Sequence, residues 1–171
     1  MDIQYQKFSS TFRIAGLSSV RTLVYLYNPS AAGKQVGFPL EVHITNEGNV
    51  AEGVFSTNQQ LGFAVHRISL ATLGSPTVTV GEIQEWDKNW ATSSMACYFN
   101  VTAGEPTWPN DDTAAFIRRG VPSLSGFHWE SKAPGEFALG TGVSAVFAVR
   151  LVTTPTAFNC LIEMVWGEYN P

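Results

Sequence analysis

Residues 36–45 read VGFPLEVHIT, and the end of this stretch indicates the fold class. Its last six residues alternate strictly between apolar and polar side chains, in the order Leu40, Glu41, Val42, His43, Ile44 and Thr45. A period of two residues predicts a β-strand with one buried face and one face in water. The stretch ends at Asn46-Glu47-Gly48-Asn49, a sequence typical of a turn.

Similar strand-like segments recur about every ten residues along the chain. They are residues 20–27, 62–71, 77–83, 95–101, 144–152 and 158–166, and the last two are predicted to pair across the turn at 153–156. Only residues 111–119 carry helix signals, with acidic residues first, basic residues last and Gly120 directly after. The sequence therefore predicts an all-β, antiparallel two-sheet β-sandwich of the jelly-roll or Greek-key kind. We expect about nine or ten strands and at most one short helix.

The composition fits one domain spanning residues 1–171. Residues 1–13 have two interpretations, an N-terminal arm that packs on a neighbouring subunit or the first strand of the sandwich. Charged residues make up 14% of the chain, against about 25% in typical domains. Aromatic residues make up 12%, which excludes a disordered chain. A surface with so few charges is typical of a subunit that is covered by partners.

Charge and hydropathy also limit the partners. The net charge is −4 and no basic stripe is present, so we expect no nucleic-acid partner. No apolar stretch is long enough for a membrane helix, and the N-terminus lacks the pattern of a signal peptide, so we expect no membrane partner. Cys97 and Cys160 are predicted to be buried thiols in a reducing compartment, with a single disulfide as the alternative.

Enzyme motifs are missing from the sequence, and we expect no enzymatic activity, no catalytic residues, no metal and no cofactor. The carboxylates that could pair as acid and base fall into two groups, Glu82, Glu85 and Asp87 in one and Glu130 and Glu136 in the other. Solvated surface is the simpler interpretation of both groups. His43, His66 and His128 are predicted to lie on three separate strands, and sequence alone does not reveal whether they converge on a metal.

Aromatic side chains are the best candidates for a binding surface. The predicted interface residues are Tyr5, Phe8, Phe12, Trp86, Trp90 and Trp108. Tryptophan is enriched in protein interfaces, where it supplies a large apolar area. The three tryptophans also lie among polar residues, which is the setting of a carbohydrate-binding surface. A glycan partner therefore stays as the alternative.

Several segments together resemble small β-sandwich virion proteins of tailed bacteriophages. These are residues 133–137 (APGEF), 143–151 (VSAVFAVRL), 155–156 (PT), 163–168 (EMVWGE) and, earlier, 26–34 (LYNPSAAGK). The resemblance implies a C-terminal hairpin and a non-enzymatic decoration, or cement, protein that binds the assembled capsid and stabilises it. It implies the major capsid protein or another virion protein as partner, a homo-oligomer with a trimer favoured, and assembly into the virion in the host cytoplasm. A neck or tail accessory protein and a receptor- or carbohydrate-binding module are the alternatives.

Overall fold

The computed structural model describes residues 4–29, 36–47, 58–68, 77–87, 92–104, 115–139 and 142–169. Within these ranges the chain forms eleven strands and no helix, and hence no helical span of a membrane. The strands are β1 (Gln6–Leu17), β2 (Arg21–Asn28), β3 (Val36–Asn46), β4 (Gln60–Ile68), β5 (Thr77–Val80), β6 (Ile83–Glu85), β7 (Ala96–Ala103), β8 (Ile117–Pro122), β9 (Phe127–Glu130), β10 (Gly142–Leu151) and β11 (Phe158–Tyr169).

The strands form two antiparallel sheets, as predicted. The five-stranded sheet has the order β6-β1-β11-β3-β9, and the six-stranded sheet has the order β5-β7-β2-β10-β4-β8. The all-β sandwich prediction is therefore confirmed, with slightly more strands than expected.

The strand pairing follows the jelly-roll scheme. The first four strands pair with the last four in reverse order, as β1 with β11, β2 with β10, β3 with β9 and β4 with β8. Successive pairs lie alternately in the two sheets, which is how a long antiparallel ribbon folds into a jelly roll. Strands β5, β6 and β7 are inserted between β4 and β8, where β6 extends one sheet beside β1 and β7 with β5 extends the other beside β2.

The prediction that the last two strands form a hairpin is wrong. Strand β10 lies between β2 and β4, whereas β11 lies in the opposite sheet between β1 and β3. The chain crosses between the sheets after β10, where the Val152 N–H donates to the Gly62 carbonyl at 2.8 Å and the Gly62 N–H donates to Thr153 Oγ1 at 2.8 Å. Each of the two strands has two partners from the first half of the chain, so neither has an edge left for the other.

The prediction of a helix over residues 111–119 is wrong for those residues of the segment that the structure describes. Residues 117–119 belong to β8, with Ile117 opposite Val65 and Arg119 opposite Phe63, while 111–114 lie outside the described residues. Strand β8 also lies inside the segment 108–125, which the sequence suggests is a long loop. Local charge order favours a helix here, but the free edge of β4 takes these residues as a strand because backbone pairing outweighs a weak propensity.

Residues 6–13 are the first part of β1, and β1 has a neighbour on each side, β11 and β6. Residues 6–13 therefore lie in a strand of the sandwich, which corresponds to the strand interpretation of residues 1–13.

Aromatic rings from the two sheets meet in the core. Ring centroids lie 5.5 Å apart for Phe12 and Phe99, and 4.8 Å apart for Phe63 and Phe127. Each of these pairs joins one strand of the five-stranded sheet to one of the six-stranded sheet. Such ring pairs add about 0.5–1.5 kcal/mol each beyond the area that they bury.

Glu168 connects the end of β11 to the segment before β7. Its side chain is buried, and each carboxylate oxygen accepts from one N–H and one hydroxyl. Oε1 accepts from Trp166 Nε1 at 2.9 Å and from the Ser93 hydroxyl, while Oε2 accepts from the Ser94 N–H at 2.9 Å and the Ser94 hydroxyl at 2.8 Å. A carboxylate suits this place because it offers acceptors only.

We expect Glu168→Gln to lower the free energy of unfolding by about 1–3 kcal/mol, the cost of one unsatisfied buried donor. The hydroxyls can rotate, but an indole or backbone N–H can only donate. In the glutamine variant an NH₂ group replaces one of the two carboxylate oxygens. That NH₂ group then faces the N–H of Trp166 or of Ser94, which is also a donor. Urea denaturation measures the loss, with Glu163→Gln on the half-buried outer side of the same strand as the control. Equal losses in the two variants would contradict this account.

Position 126, directly before β9, requires glycine because of its backbone conformation and because of a close neighbour. Its φ is +69°, and a Cβ there would lie 2.7 Å from the Ile44 carbonyl oxygen of β3. Gly16 has a similar φ of +64° with open space around it. An alanine at either position incurs the left-handed cost of about 1–2 kcal/mol, but only Gly126→Ala adds a clash with backbone.

Thermal and urea denaturation should therefore place Gly126→Ala below Gly16→Ala in stability. If Gly16→Ala is equally or more destabilising, the close approach of β9 to β3 is not a determinant of stability.

Candidate functional site

The predicted interface residues that the structure describes separate into three groups: buried, half-buried and exposed. Phe8 is 1% exposed and stacks on Trp166 with centroids 5.9 Å apart. It is therefore a core residue, and its place in the predicted binding surface is corrected. Phe12 is half-buried against Phe99, and Tyr5 packs edge-on against Phe38 with centroids 5.2 Å apart. Trp90 and Trp108 lie outside the described residues.

Of the predicted interface residues, Trp86 lies on the surface, with 59% of its area exposed. It follows β6, the short strand at one edge of the five-stranded sheet. Three contacts hold it to β1. The Trp86 N–H donates to the Lys7 carbonyl at 3.2 Å, the indole Nε1–H donates to Ser9 Oγ at 3.1 Å, and Lys7 Nζ lies 5.2 Å from the ring centroid. The ring is thus both exposed and oriented before any partner binds.

A second aromatic group, in which Tyr25 is buried and Tyr27 and Tyr98 are partly exposed, lies on the outer side of the six-stranded sheet. The rings of Tyr25, Tyr27 and Tyr98 contact one another, with centroids between 5.1 and 6.1 Å apart. Burial and the hydrogen bond with Tyr98 raise the pKa of Tyr27 to about 12. The Tyr27 phenol is therefore neutral over the physiological pH range.

The two groups of predicted acid–base carboxylates lie near opposite edges of the five-stranded sheet. Glu85 is on edge strand β6, opposite Phe8, while Glu130 is on edge strand β9, opposite Glu41. Glu136 accepts from the Lys132 N–H at 3.0 Å and so closes its own turn. The groups cannot act together across the width of a sheet.

Two of the three histidines meet. His43 on β3 and His128 on β9 are directly opposite in register, and their rings stack with centroids 4.3 Å apart and planes 15° from parallel. His43 Nε2 lies 3.1 Å from Glu41 Oε2. His66 is buried on β4 in the other sheet. The three histidines are on three strands, as predicted. The contact of Glu41 with His43 was not predicted from the sequence.

Cys97 and Cys160 are buried free thiols, as the simpler interpretation predicts. Burial raises the pKa of Cys97 well above its usual range. Burial, together with the charge of Glu47, raises the pKa of Cys160 to about 12. Because the thiolate is the reactive form, both side chains should be inert in the folded protein.

We expect no reaction of the native protein with a thiol reagent at mildly alkaline pH, and reaction of both cysteines after denaturation. Rapid labelling of the folded chain would contradict their burial. Failure of the denatured chain to react without a reductant would indicate a disulfide instead.

In comparisons with protein-family models, curated proteins and solved structures, none matches this chain. The likeness to phage virion proteins therefore depends on the quoted segments alone. The structure forms a turn at the first of them, where the Glu136 N–H donates to the Ala133 carbonyl at 3.1 Å and Gly135 has φ +80°. The WGE segment provides the Trp166–Glu168 hydrogen bond at the end of β11.

Proposed function

We propose that this chain is a non-enzymatic virion structural protein that binds the assembled capsid surface and stabilises it, as a homotrimer. The observation that carries the proposal is Trp86, which is largely exposed yet fixed by its contacts with β1. Oriented tryptophans are typical anchors of protein interfaces, because they bury a large area at little cost in conformational entropy. The partner in this proposal is the major capsid protein or another virion protein.

The fold is consistent with this role. Jelly rolls are a common scaffold of viral capsid domains, and also of lectins and cupins. Since one fold hosts many functions, the surface has to distinguish among them. The low content of charged residues, 14%, favours a surface that is covered in the assembled state.

Multiple attachment would explain how a small domain stabilises a large shell. A standard interface buries about 1,600 Å² in total. A trimer brings three copies of the Trp86 surface, so once one subunit binds, the others bind at high effective concentration. Capsid subunits linked in this way separate less readily.

The test uses capsids that lack the protein, to which purified wild type or a variant is added back. We expect wild type to bind and to raise the temperature at which capsids rupture. Trp86→Ala should weaken binding about 30-fold, because loss of an interface anchor costs about 2 kcal/mol or more. The matched control is Leu124→Ala, which removes another exposed apolar side chain, 55% exposed, from the turn between β8 and β9.

Capsids whose rupture temperature is unchanged by wild-type protein would overturn the proposal. Equal binding of wild type and Trp86→Ala would refute the assignment of the surface. Light scattering of the purified protein measures the oligomeric state independently, and a monomer at all concentrations would contradict the trimer.

The second candidate is a carbohydrate- or receptor-binding module, or a neck or tail accessory protein. Carbohydrate binding is favoured by the exposed indole ring of Trp86 beside Glu85 and Asp87, because sugars stack on such rings next to carboxylates. The Lys7 ammonium lies over one face of the ring, which leaves a sugar only the other face. A glycan array with wild type and Trp86→Ala distinguishes the two functions, since a capsid-binding protein gives no Trp86-dependent glycan signal.

A further inference from the structure

The outer face of the five-stranded sheet carries a group of imidazoles and carboxylates on β9, β3 and β11. In the register of these strands, His128 is opposite His43, and His43 is opposite Glu163 on its other side. Two residues further along each strand, and so on the same face, Glu130 is opposite Glu41. Five side chains of metal-ligating type therefore occupy adjacent positions on one sheet face.

Three of these side chains, Glu41, His43 and His128, are close enough to share an ion. One ligand atom from each lies within 4.8 Å of the others. The side chains of His43 and Glu41 are 36% and 35% exposed, and His128 is exposed, so an ion from solvent can reach them. Their Cβ positions are fixed by paired strands, which reduces the entropy lost when an ion binds.

We propose that Glu41, His43 and His128 bind a divalent transition-metal ion, with Zn²⁺ the best fit. Imidazole nitrogens and a carboxylate oxygen are preferred zinc ligands, whereas Mg²⁺ and Ca²⁺ prefer oxygen ligands alone. Zinc binds such ligands at about 2.0–2.2 Å, so two ligand atoms on one tetrahedral ion lie about 3.3–3.6 Å apart. Small rotations of these partly exposed side chains would bring their ligand atoms from within 4.8 Å of one another to the separation that zinc requires.

Charge around the group also favours a cation. Glu130 and Glu163 flank the three ligands and add two carboxylates to the one that binds. Two guanidinium groups oppose this in part: Arg13 pairs with Glu47 at 2.5 Å, and Arg119 donates to the His128 carbonyl at 3.5 Å. His43 Nε2 and Glu41 Oε2 lie 3.1 Å apart, so these two ligand atoms already converge. Three protein ligands leave the fourth tetrahedral position of zinc to water.

This site is independent of the proposed capsid binding, because β9 and β6 are opposite edges of the five-stranded sheet. Neither buried cysteine can contribute a ligand, and His66 lies in the other sheet. Without a metal, the same residues would form an ordinary solvated stack of two imidazoles with one hydrogen bond.

The test is calorimetric titration of untagged full-length protein with ZnCl₂, and separately with MgCl₂. We expect saturable binding of one Zn²⁺ per chain and no binding of Mg²⁺. His128→Gln and Glu41→Gln should each weaken zinc binding at least about 10–100-fold, the range seen even for indirect metal partners. Glu82→Gln, which removes an exposed carboxylate after β5, is the control for charge and should bind as wild type does.

Co²⁺ provides a second measurement, because its visible spectrum reports tetrahedral coordination by the protein. Wild type should give that spectrum and His128→Gln should not, while circular dichroism without metal confirms that both are folded. Absence of saturable binding in excess Zn²⁺, or equal weakening by Glu82→Gln and His128→Gln, would overturn the proposal.

Discussion

Strand β11 lies between β1 and β3, and this placement fixes the positions of the other strands in the five-stranded sheet. The last strand of the chain is the central strand of the five-stranded sheet, and its neighbours are the first and third strands. Its inward side chains, among them Ile162, Met164 and Trp166, are fully buried. The pairing is entirely between distant parts of the chain, so the sheet cannot be completed before residues 158–169 are in place. The buried Glu168 carboxylate then joins the end of this strand to the segment before β7.

This arrangement also places the two surfaces to which we assign a function. With β11 at the centre, β1 and β3 become inner strands, and the short strands β6 and β9 become the two edges. Trp86 follows β6 and is held by β1, whereas His128 on β9 is held beside His43 on β3. An exposed aromatic anchor and a cluster of metal-ligating side chains thus lie at opposite edges of one sheet. The first would serve attachment to a partner, and the second would bind an ion, with neither depending on the other.

Two sequence predictions failed for one physical reason. Residues 117–119 carry the basic end of a helix-like pattern, yet they pair with β4 as β8. The last two strands follow each other across a plausible turn, yet they lie in opposite sheets. In both cases local signals describe what a short segment favours in isolation, whereas the free edge of a distant strand decides its hydrogen-bond partners. The jelly roll consists of such distant pairings, so local signals are least informative about its connections.

The β class follows from the sequence, because alternation such as that of residues 40–45 has a period only a strand satisfies. The sequence also predicts that Val42 and Ile44 face the core and that Cys97 and Cys160 are buried. Which strands are neighbours is visible in the three-dimensional structure alone. That structure moved Phe8 into the core, left Trp86 exposed at an edge, and brought His128 to His43 and Glu41. The physical reason is that periodicity defines the two faces of each strand, while the neighbours on a face are set by pairing between residues far apart in the chain.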